Sequence, residues 1–302
     1  MFVQNIFSHL ADWQAAGLKT GLATLVKIDG SSPRPRGAQI AVAEDGRHLG
    51  VISSGCAEEA IINEALKAVA DGATHISRYG KGSPYLDIVL PCGSGLDILF
   101  TGTGVKALTD QVAALHTARQ TAFVTPDAHL ALHVSDAAQA EAMAYPPDYH
   151  LHIFGAGPHL VCFVQLAQLL GYSCAVHSTD QATLAQVKAL GIAAESMTHQ
   201  SRFNAHIFDE HSAVITLFHE HNLEIEILHT ALNSQAHFIG ALGSRTTHAQ
   251  RVDLLALREP TARPADEIIG PIGLDIGASD PSEIALSIMA QIVEKRRLGA
   301  AK

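Results

Sequence analysis

Residues 150–170 read HLHIFGAGPHLVCFVQLAQLL, and this stretch decides the fold class of the C-terminal half. Its first five residues form an apolar strand pattern, and residues 160–170 follow the spacing of an apolar helix. The turn Gly155-Ala156-Gly157 lies between them. Small residues at such a turn let a phosphate approach the N-terminus of the following helix. The stretch therefore predicts a strand–turn–helix unit of the Rossmann type.

The remainder of the C-terminal half repeats this alternation. Strand patterns are predicted at residues 174–177, 213–218, 238–242 and, more weakly, 267–269. Strands that alternate with helices of this length form a parallel sheet with helices on both faces. Asp280, Pro281 and Glu283 are the start signal of a final helix, because they supply a cap, a first-turn proline and a capping box. We expect a doubly wound α/β domain.

The N-terminal half is less regular. Patterns predict helices at residues 4–16 and 57–70, strands at 21–28 and 96–100, and a hairpin across Asp45-Gly46. Residues 142–148 (AMAYPPD) contain two consecutive prolines, which stop a helix and suit a linker. We therefore predict two domains: an α/β domain with a mixed sheet at residues 1–145, and a Rossmann-like domain at residues 146–302.

The amino-acid composition argues against some classes of binding partner. The chain has 302 residues, of which 47% are hydrophobic and 17% charged, and its net charge is −10. This negative charge argues against nucleic acid or an anionic membrane as the main partner. No apolar segment is long enough to span a membrane, and no signal peptide is evident at the N-terminus. We expect a cytoplasmic protein with reduced thiols, whose anion sites are made locally from arginines and backbone amides.

The N-terminal half carries a cysteine in an unusual setting. Ser54-Gly55-Cys56 lies at the mouth of the helix predicted from residue 57. A thiol there is surrounded by backbone N–H groups and the positive end of a helix dipole, which stabilise a thiolate or attract an anionic ligand. We interpret Ser54, Gly55 and Cys56 as a binding site.

Other N-terminal residues could contribute to the same site. Arg34 and Arg36 lie in a proline-rich turn and can pair bidentately with anionic groups. Cys92 lies in a second cysteine–glycine turn. It is either a structural residue or a partner of Cys56, as a second soft ligand or as a helper of a thiolate.

The C-terminal half offers two turns for an anion. Gly155 and Gly157 belong to the first, and Gly243-Ser244-Arg245 forms the second, after the strand predicted at residues 238–242. Both follow the carboxyl end of a predicted parallel strand, which is where ligands bind in doubly wound sheets. The alternative for the second turn is that Ser244 is only a helix cap and Arg245 only a solvated side chain.

Five motifs, taken in order, resemble one known family. They are GSSPRPRGA at residues 30–38, DGRHLGVISSGCAE at 45–58, GAG at 155–157, GALGSR at 240–245, and PIGLDIG at 271–277 with the segment that follows to residue 288. These residues resemble the XdhC/CoxI family of accessory factors for molybdenum hydroxylases, and the likeness extends over nearly the whole chain.

The resemblance implies a carrier of the molybdenum cofactor rather than an enzyme. Such a carrier protects the cofactor, supports replacement of its terminal oxo ligand by sulfur with a cysteine desulfurase as partner, and delivers it to an apo hydroxylase of the xanthine dehydrogenase type. The resemblance further implies that Cys56 coordinates or shields molybdenum. It also implies that the glycine turns bind the phosphate of the cofactor, and that Arg34 and Arg36 pair with its anionic groups. The sequence leaves a homodimer open.

Two other functions remain open at this point. The GAG turn alone is compatible with an NAD(P)-dependent oxidoreductase, although Asp180 follows the expected position of the ribose-binding acid by two residues. Alternatively, Cys56 is the nucleophile of a sulfur-transfer enzyme. The sequence His219-Glu220-His221 is either a metal-binding pair or, more simply, a polar loop after a strand.

Overall fold

The computed structural model describes residues 5–84, 90, 93–198, 201–218 and 221–298. The chain divides into two compact units between Pro147 and Asp148. Each unit has its own hydrophobic core, and each is described by itself below.

The N-terminal unit contains three helices and two antiparallel sheets in its described part. Its elements are α1 Ile6–Ala15, β1 Thr20–Asp29, β2 Gln39–Ala43, β3 His48–Gly50, α2 Glu58–Asp71, β4 Thr74–Gly80, β5 Gly95–Thr101, α3 Val105–Thr117, β6 Ala122–Pro126, β7 Leu132–Ser135 and β8 Met143–Tyr145. The first sheet has the order β3-β2-β1-β5-β4, and the second has the order β7-β6-β8.

Every strand pair described in this unit is antiparallel, so the expectation of a mixed sheet is wrong in this detail. The reason is connectivity. A short loop such as the hairpin across Asp45-Gly46 can join only antiparallel neighbours, whereas parallel neighbours need a long crossover. That hairpin joins β2 to β3, as the sequence predicts.

The first sheet is covered on both faces. Ala23 and Leu25 of β1 pack in a core with α2, whereas Leu22 packs in a second core with α1 and α3. This alternation follows from the two-residue period of a strand. Helix α2 packs on the sheet face that carries Ala23 and Leu25. Its first residue, and with it the Cys56 segment, therefore lies at one end of this face.

The C-terminal unit is a doubly wound α/β domain. Its elements are β9 His150–Gly155, α4 Pro158–Leu169, β10 Ser173–Ser178, α5 Gln181–Ala189, β11 Ala193–Ser196, β12 Ser212–Leu217, α6 His221–Leu232, β13 Phe238–Ala241, α7 Arg245–Ala256 and α8 Pro281–Leu298. The five strands are parallel in the order β11-β10-β9-β12-β13. The predicted α/β class is confirmed.

Side chains of neighbouring positions on one strand enter different cores. Ile153 of β9 and Ile215 of β12 pack with α4 and α8, whereas Phe154 and Val214 pack on the opposite face with α6 and α7. Both faces of these strands are therefore buried, which explains why they read as nearly continuous apolar runs in the sequence.

One predicted strand of this unit is wrong. Residues 267–269 do not form a strand of the sheet, because Glu267 ends a 3-10 helix and Ile269 makes a single parallel bridge with Gly240. The fifth strand is Ala193–Ser196, which lies at the sheet edge. It escaped prediction because an exposed edge strand buries little and lacks an apolar pattern.

The last helix begins as the sequence predicts. The carboxylate of Asp280 accepts hydrogen bonds from the backbone N–H groups of Ser282 and Glu283. The Glu283 side chain in turn accepts from the backbone N–H of Ser279. Among the described residues, no helix is both long and apolar enough to cross a lipid bilayer.

Candidate functional site

The Cys56 segment is a short loop whose backbone is held by a single carboxylate. One oxygen of Glu58, the first residue of α2, accepts from the backbone N–H groups of Ile52 (3.1 Å) and Ser53 (2.6 Å). The other accepts from the backbone N–H of Gly55 (2.5 Å) and from the Ser53 hydroxyl. Four donors from three loop residues therefore converge on one side chain.

The same loop has an unusual backbone conformation. Ser54 has a φ of +58° and Gly55 a φ of +104°. The second value lies where glycine, having no Cβ, is favoured. The Ser53 hydroxyl, which is buried, also accepts from the backbone N–H of Ala57 (2.7 Å). The chain thereby turns sharply into α2 and leaves the Cys56 thiol exposed directly before the helix cap.

The charge at this helix start differs from the expectation. Glu58 and Glu59 both lie in the first turn of α2, so the positive end of the helix dipole already faces two carboxylates. Burial pushes the pKa of Glu58 upward, but the hydrogen bonds from Ser53, Gly55 and Ile52 outweigh it and hold this pKa below its ordinary value. The ionised carboxylate thus binds the backbone N–H groups of Ile52, Ser53 and Gly55, while the Cys56 thiol stays exposed beside them.

Arg34 and Arg36 have different surroundings. The Arg36 guanidinium donates to the backbone carbonyls of Val26 (2.8 Å) and Glu141 (2.6 Å) and pairs with the Glu141 carboxylate (3.1 Å). Arg34 is exposed between two prolines. Within the described part of the chain its guanidinium has no hydrogen bond or ion pair. Arg36 therefore anchors the loop, and Arg34 is presented to solvent.

The first glycine turn of the C-terminal unit lies at the end of β9. Because β10 and β12 flank β9, this turn is at the switch point of the sheet, where ligands bind in doubly wound folds. Gly155 has a φ of +148°, and a Cβ there would lie 2.3 Å from the carbonyl oxygen of Leu217 on β12. Glycine is required at this position because the two strands approach each other so closely.

A neighbouring side chain already uses part of this turn. The backbone N–H of Gly157 donates to Thr183 Oγ1 (2.9 Å), and Thr183 Oγ1 donates to the Asp180 carboxylate (2.6 Å). Asp180 is the cap of α5 and also accepts from the backbone N–H groups of Ala182 and Thr183. The strand before it ends in Ser178, so the carboxylate that would bind a ribose is absent from the end of β10.

The second turn follows β13. Ser244 Oγ accepts from the backbone N–H of Thr247 (3.1 Å), so the interpretation of Ser244 as a helix cap is confirmed. Arg245 is exposed, and its guanidinium has no hydrogen bond or ion pair among the described residues. Below the turn, Arg251 donates to the carbonyl of Leu242 (2.8 Å), which fixes the backbone directly before Gly243.

The other cysteines and the proposed histidine pair add no described residue to these sites. Cys92, and the His219-Glu220 part of the proposed histidine pair, lie outside the described residues. Cys162 and Cys174 are half-buried against the core, and burial raises the pKa of the Cys174 thiol to about 12. Over the described ranges, no three His, Cys, Asp or Glu side chains are grouped so that they could hold a metal ion.

Sequence reasoning missed the two side chains that organise these sites. Glu58 has a local signal, since an acidic residue in the first turn of a helix is stabilised by the positive end of the helix dipole. Thr183 has none, because its partner Gly157 lies 26 positions earlier in the chain and is brought close only by the sheet.

Comparison with known proteins gives a consistent result. The family model described as the XdhC Rossmann domain matches residues 151–292, and the model described as the XdhC and CoxI family matches residues 13–80. The chain is 31% identical to the molybdenum cofactor insertion chaperone PaoD of Escherichia coli, over 91% of this chain and 83% of that protein. It is 25% identical to a Bacillus subtilis protein named as a probable xanthine dehydrogenase subunit, over 91% and 93% of the two chains.

The fold also matches a solved structure. A crystal structure described as a xanthine dehydrogenase from Bacillus halodurans superposes with a TM-score of 0.74, covers 97% of this chain and 96% of that chain, and is 22% identical. At this identity the likeness is one of fold. The two matched segments and the extent of the identity to PaoD together confirm the resemblance seen in the sequence: this protein belongs to the XdhC and CoxI family.

Proposed function

We propose that this protein binds the molybdenum cofactor and inserts it into an apo molybdenum hydroxylase of the xanthine dehydrogenase type. The observation that carries this proposal is the exposed Cys56 thiol at the end of a loop fixed by hydrogen bonds. Sulfur is a ligand that suits a soft metal centre. The similarity to PaoD, which is named as a molybdenum cofactor insertion chaperone, supports the same cargo.

The cargo also has anionic groups, for which the chain offers exposed cations. Arg34 in the N-terminal unit and Arg245 in the C-terminal unit both present guanidinium groups to solvent. A guanidinium can bind a phosphate bidentately. In the N-terminal unit, we assign Cys56 to the molybdenum of the cargo and Arg34 to its anionic oxygens. In the C-terminal unit, taken by itself, Arg245 and the glycine turn Gly155-Ala156-Gly157 are further candidates for binding an anion.

The finer steps extend this proposal. We propose that a cysteine desulfurase is a further partner: the sulfur of its persulfide would be reduced to the sulfide level by two electrons from a thiol reductant and would replace the terminal oxo ligand, which leaves as water, before the cofactor is inserted. Both steps would take place in the cytoplasm, where thiols stay reduced. In this scheme the protein is a carrier, and no covalent chemistry is assigned to its own side chains.

Cofactor retention tests the proposal. The purified protein is incubated with molybdenum cofactor released from a molybdenum hydroxylase, passed through a desalting column, and assayed for molybdenum and for the pterin. We expect stoichiometric retention by the wild type and at least a tenfold loss of affinity in Cys56→Ala. Cys162→Ala is the matched control, since it removes a half-buried thiol of the other unit. A wild-type protein that retains no cofactor would contradict the proposal.

A second candidate function rests on the same exposed thiol. If Cys56 is itself a sulfur carrier, incubation with a cysteine desulfurase and cysteine should add one sulfur atom to this residue, detectable as a mass increase of its peptide. In the carrier proposal the sulfur is transferred to molybdenum instead, and no persulfide accumulates on Cys56 when cofactor is present.

A further inference from the structure

The carboxylate of Glu58 has a role that ordinary helix capping does not explain. In a capping box, an acidic residue in the third position of a helix reaches back to the backbone N–H of the cap residue. Glu58 is the first residue of α2, and its partners are Ile52, Ser53 and Gly55, three to six residues earlier. Its hydrogen bonds therefore organise the loop before the helix.

These bonds surround Cys56 in the sequence and fix both sides of it. The partners in the loop lie before Cys56, and Ala57, directly after it, is bound to the Ser53 hydroxyl that also donates to Glu58. The positive φ values of Ser54 and Gly55 are held within this network. Without the carboxylate, the three backbone N–H groups and the hydroxyl lose their common acceptor, and nothing else among the described contacts of the loop would replace it.

We propose that Glu58 is a positioning residue for Cys56: its carboxylate clamps the Ile52–Gly55 loop so that the sulfur is presented in one place at the start of α2. The inference rests on the proposed function for what Cys56 binds, but the clamp itself is a property of the free protein. A sulfur that is already held in one place loses less conformational freedom when the cargo binds to it. The clamp therefore raises the affinity of the protein for the cargo.

Glu58→Gln is the informative substitution. It keeps the length of the side chain but replaces one acceptor oxygen by an NH2 group, which would face the N–H and O–H donors of the loop. Glu59→Gln is the matched control, because it removes the same charge from the neighbouring, exposed residue of the same helix turn. Both variants remove one negative charge from the helix start, and only the first takes an acceptor oxygen away from the loop.

The first measurement is amide hydrogen exchange of the free protein. We expect the amides of Ile52, Ser53 and Gly55 to exchange at least tenfold faster in Glu58→Gln than in the wild type or in Glu59→Gln. Amides of β1, the central strand of the sheet in the same unit, should exchange unchanged, which distinguishes local loosening of the loop from unfolding of the unit. Equal exchange of the loop in Glu58→Gln and Glu59→Gln would overturn the inference.

The second measurement is a double-mutant cycle on affinity for the released molybdenum cofactor. If Glu58 acts through the sulfur, Glu58→Gln lowers affinity about tenfold in the wild-type background and changes it less than twofold in a Cys56→Ala background. An equal loss in both backgrounds would overturn the positioning role. If the wild type retains no cofactor, the proposed function fails, and the clamp is then decided by the exchange measurement alone.

Discussion

Arg251 and Glu224 form an ion pair that is almost completely buried beneath the second glycine turn. Arg251 Nε lies 3.1 Å from Glu224 Oε2, and the two side chains are 1% and 2% exposed. Glu224 Oε1 also accepts from the hydroxyl of Thr216 at the end of β12. The pair therefore joins β12, α6 and α7 to the backbone before Gly243.

Arg251→Met should destabilise the C-terminal unit strongly, because it leaves a buried carboxylate without its cation. Breaking such a pair costs about 3–5 kcal/mol of the free energy of unfolding. Urea unfolding followed by circular dichroism measures the loss. Lys106→Met, which breaks the exposed pair with Asp110, is the control and should cost no more than about 0.5 kcal/mol.

The double variant Glu224→Leu with Arg251→Met completes this test. Replacing both charges by apolar groups removes the unpaired carboxylate, so the double variant should be more stable than Arg251→Met alone. If the double variant is the less stable of the two, the pair is not the source of the loss.

Nicotinamide dinucleotides should not bind with useful affinity. The ribose-binding carboxylate is absent from the end of β10, and the Gly157 amide is bound to Thr183. Calorimetric titration of the wild type with NAD and NADP at millimolar concentration should give no saturable heat. Saturable binding of either dinucleotide would restore the oxidoreductase alternative.

Sequence patterns predicted the C-terminal fold well because its strands are buried on both faces. Residues 150–154 and 213–218 read as apolar runs for this reason, and each lies within one residue of an observed strand. The edge strand Ala193–Ser196 was missed because the sheet hydrogen bonds that define it leave no apolar signal. Backbone pairing at an edge cannot be read from side-chain hydrophobicity.

The candidate site was predicted less completely. The sequence placed Cys56 correctly at a helix start, but we expected free backbone N–H groups around it, and Glu58 occupies three of them. Arg34 and Arg36 appeared equivalent in the sequence. Their difference depends on Glu141, which is 105 residues away from Arg36, and such a contact is not encoded in local spacing.

The Glu58 clamp should weaken in acid. Its hydrogen bonds hold the pKa of Glu58 below the ordinary value of 4.5 despite the opposing effect of burial. A carboxylate with a lowered pKa stabilises the native loop above its unfolded pKa, and this contribution is lost as the pH falls through the folded-state pKa. We expect the protection of the Gly55 amide, relative to that in Glu58→Gln, to be constant from pH 7 to pH 5, to begin to fall below about pH 4.5, and to be lost only at the lower pH at which the carboxylate of the folded protein is protonated.

The control for this pH dependence is Glu59→Gln, which retains the clamp and should follow the wild-type curve. If the wild type keeps its excess protection over Glu58→Gln well below the ordinary pKa of 4.5, as far as pH 2, the carboxylate is not the group responsible.

Substitutions of Arg34 and Arg36 should have different effects: one should lower the affinity for the cofactor, and the other should lower the free energy of unfolding. Arg36→Ala leaves the carbonyls of Val26 and Glu141 without their donor, so it should lower the free energy of unfolding by about 1–2 kcal/mol.

Arg34→Ala removes an exposed guanidinium with no partner in the described chain, so it should change stability by less than about 0.5 kcal/mol. It should nevertheless lower retention of the molybdenum cofactor at least fivefold, because the anionic groups of the cargo lose a bidentate partner. Urea unfolding and cofactor retention, measured on both variants, check the two effects, and Arg34→Lys distinguishes the planar guanidinium from a simple positive charge. Equal retention by Arg34→Ala and the wild type would exclude Arg34 from the binding surface.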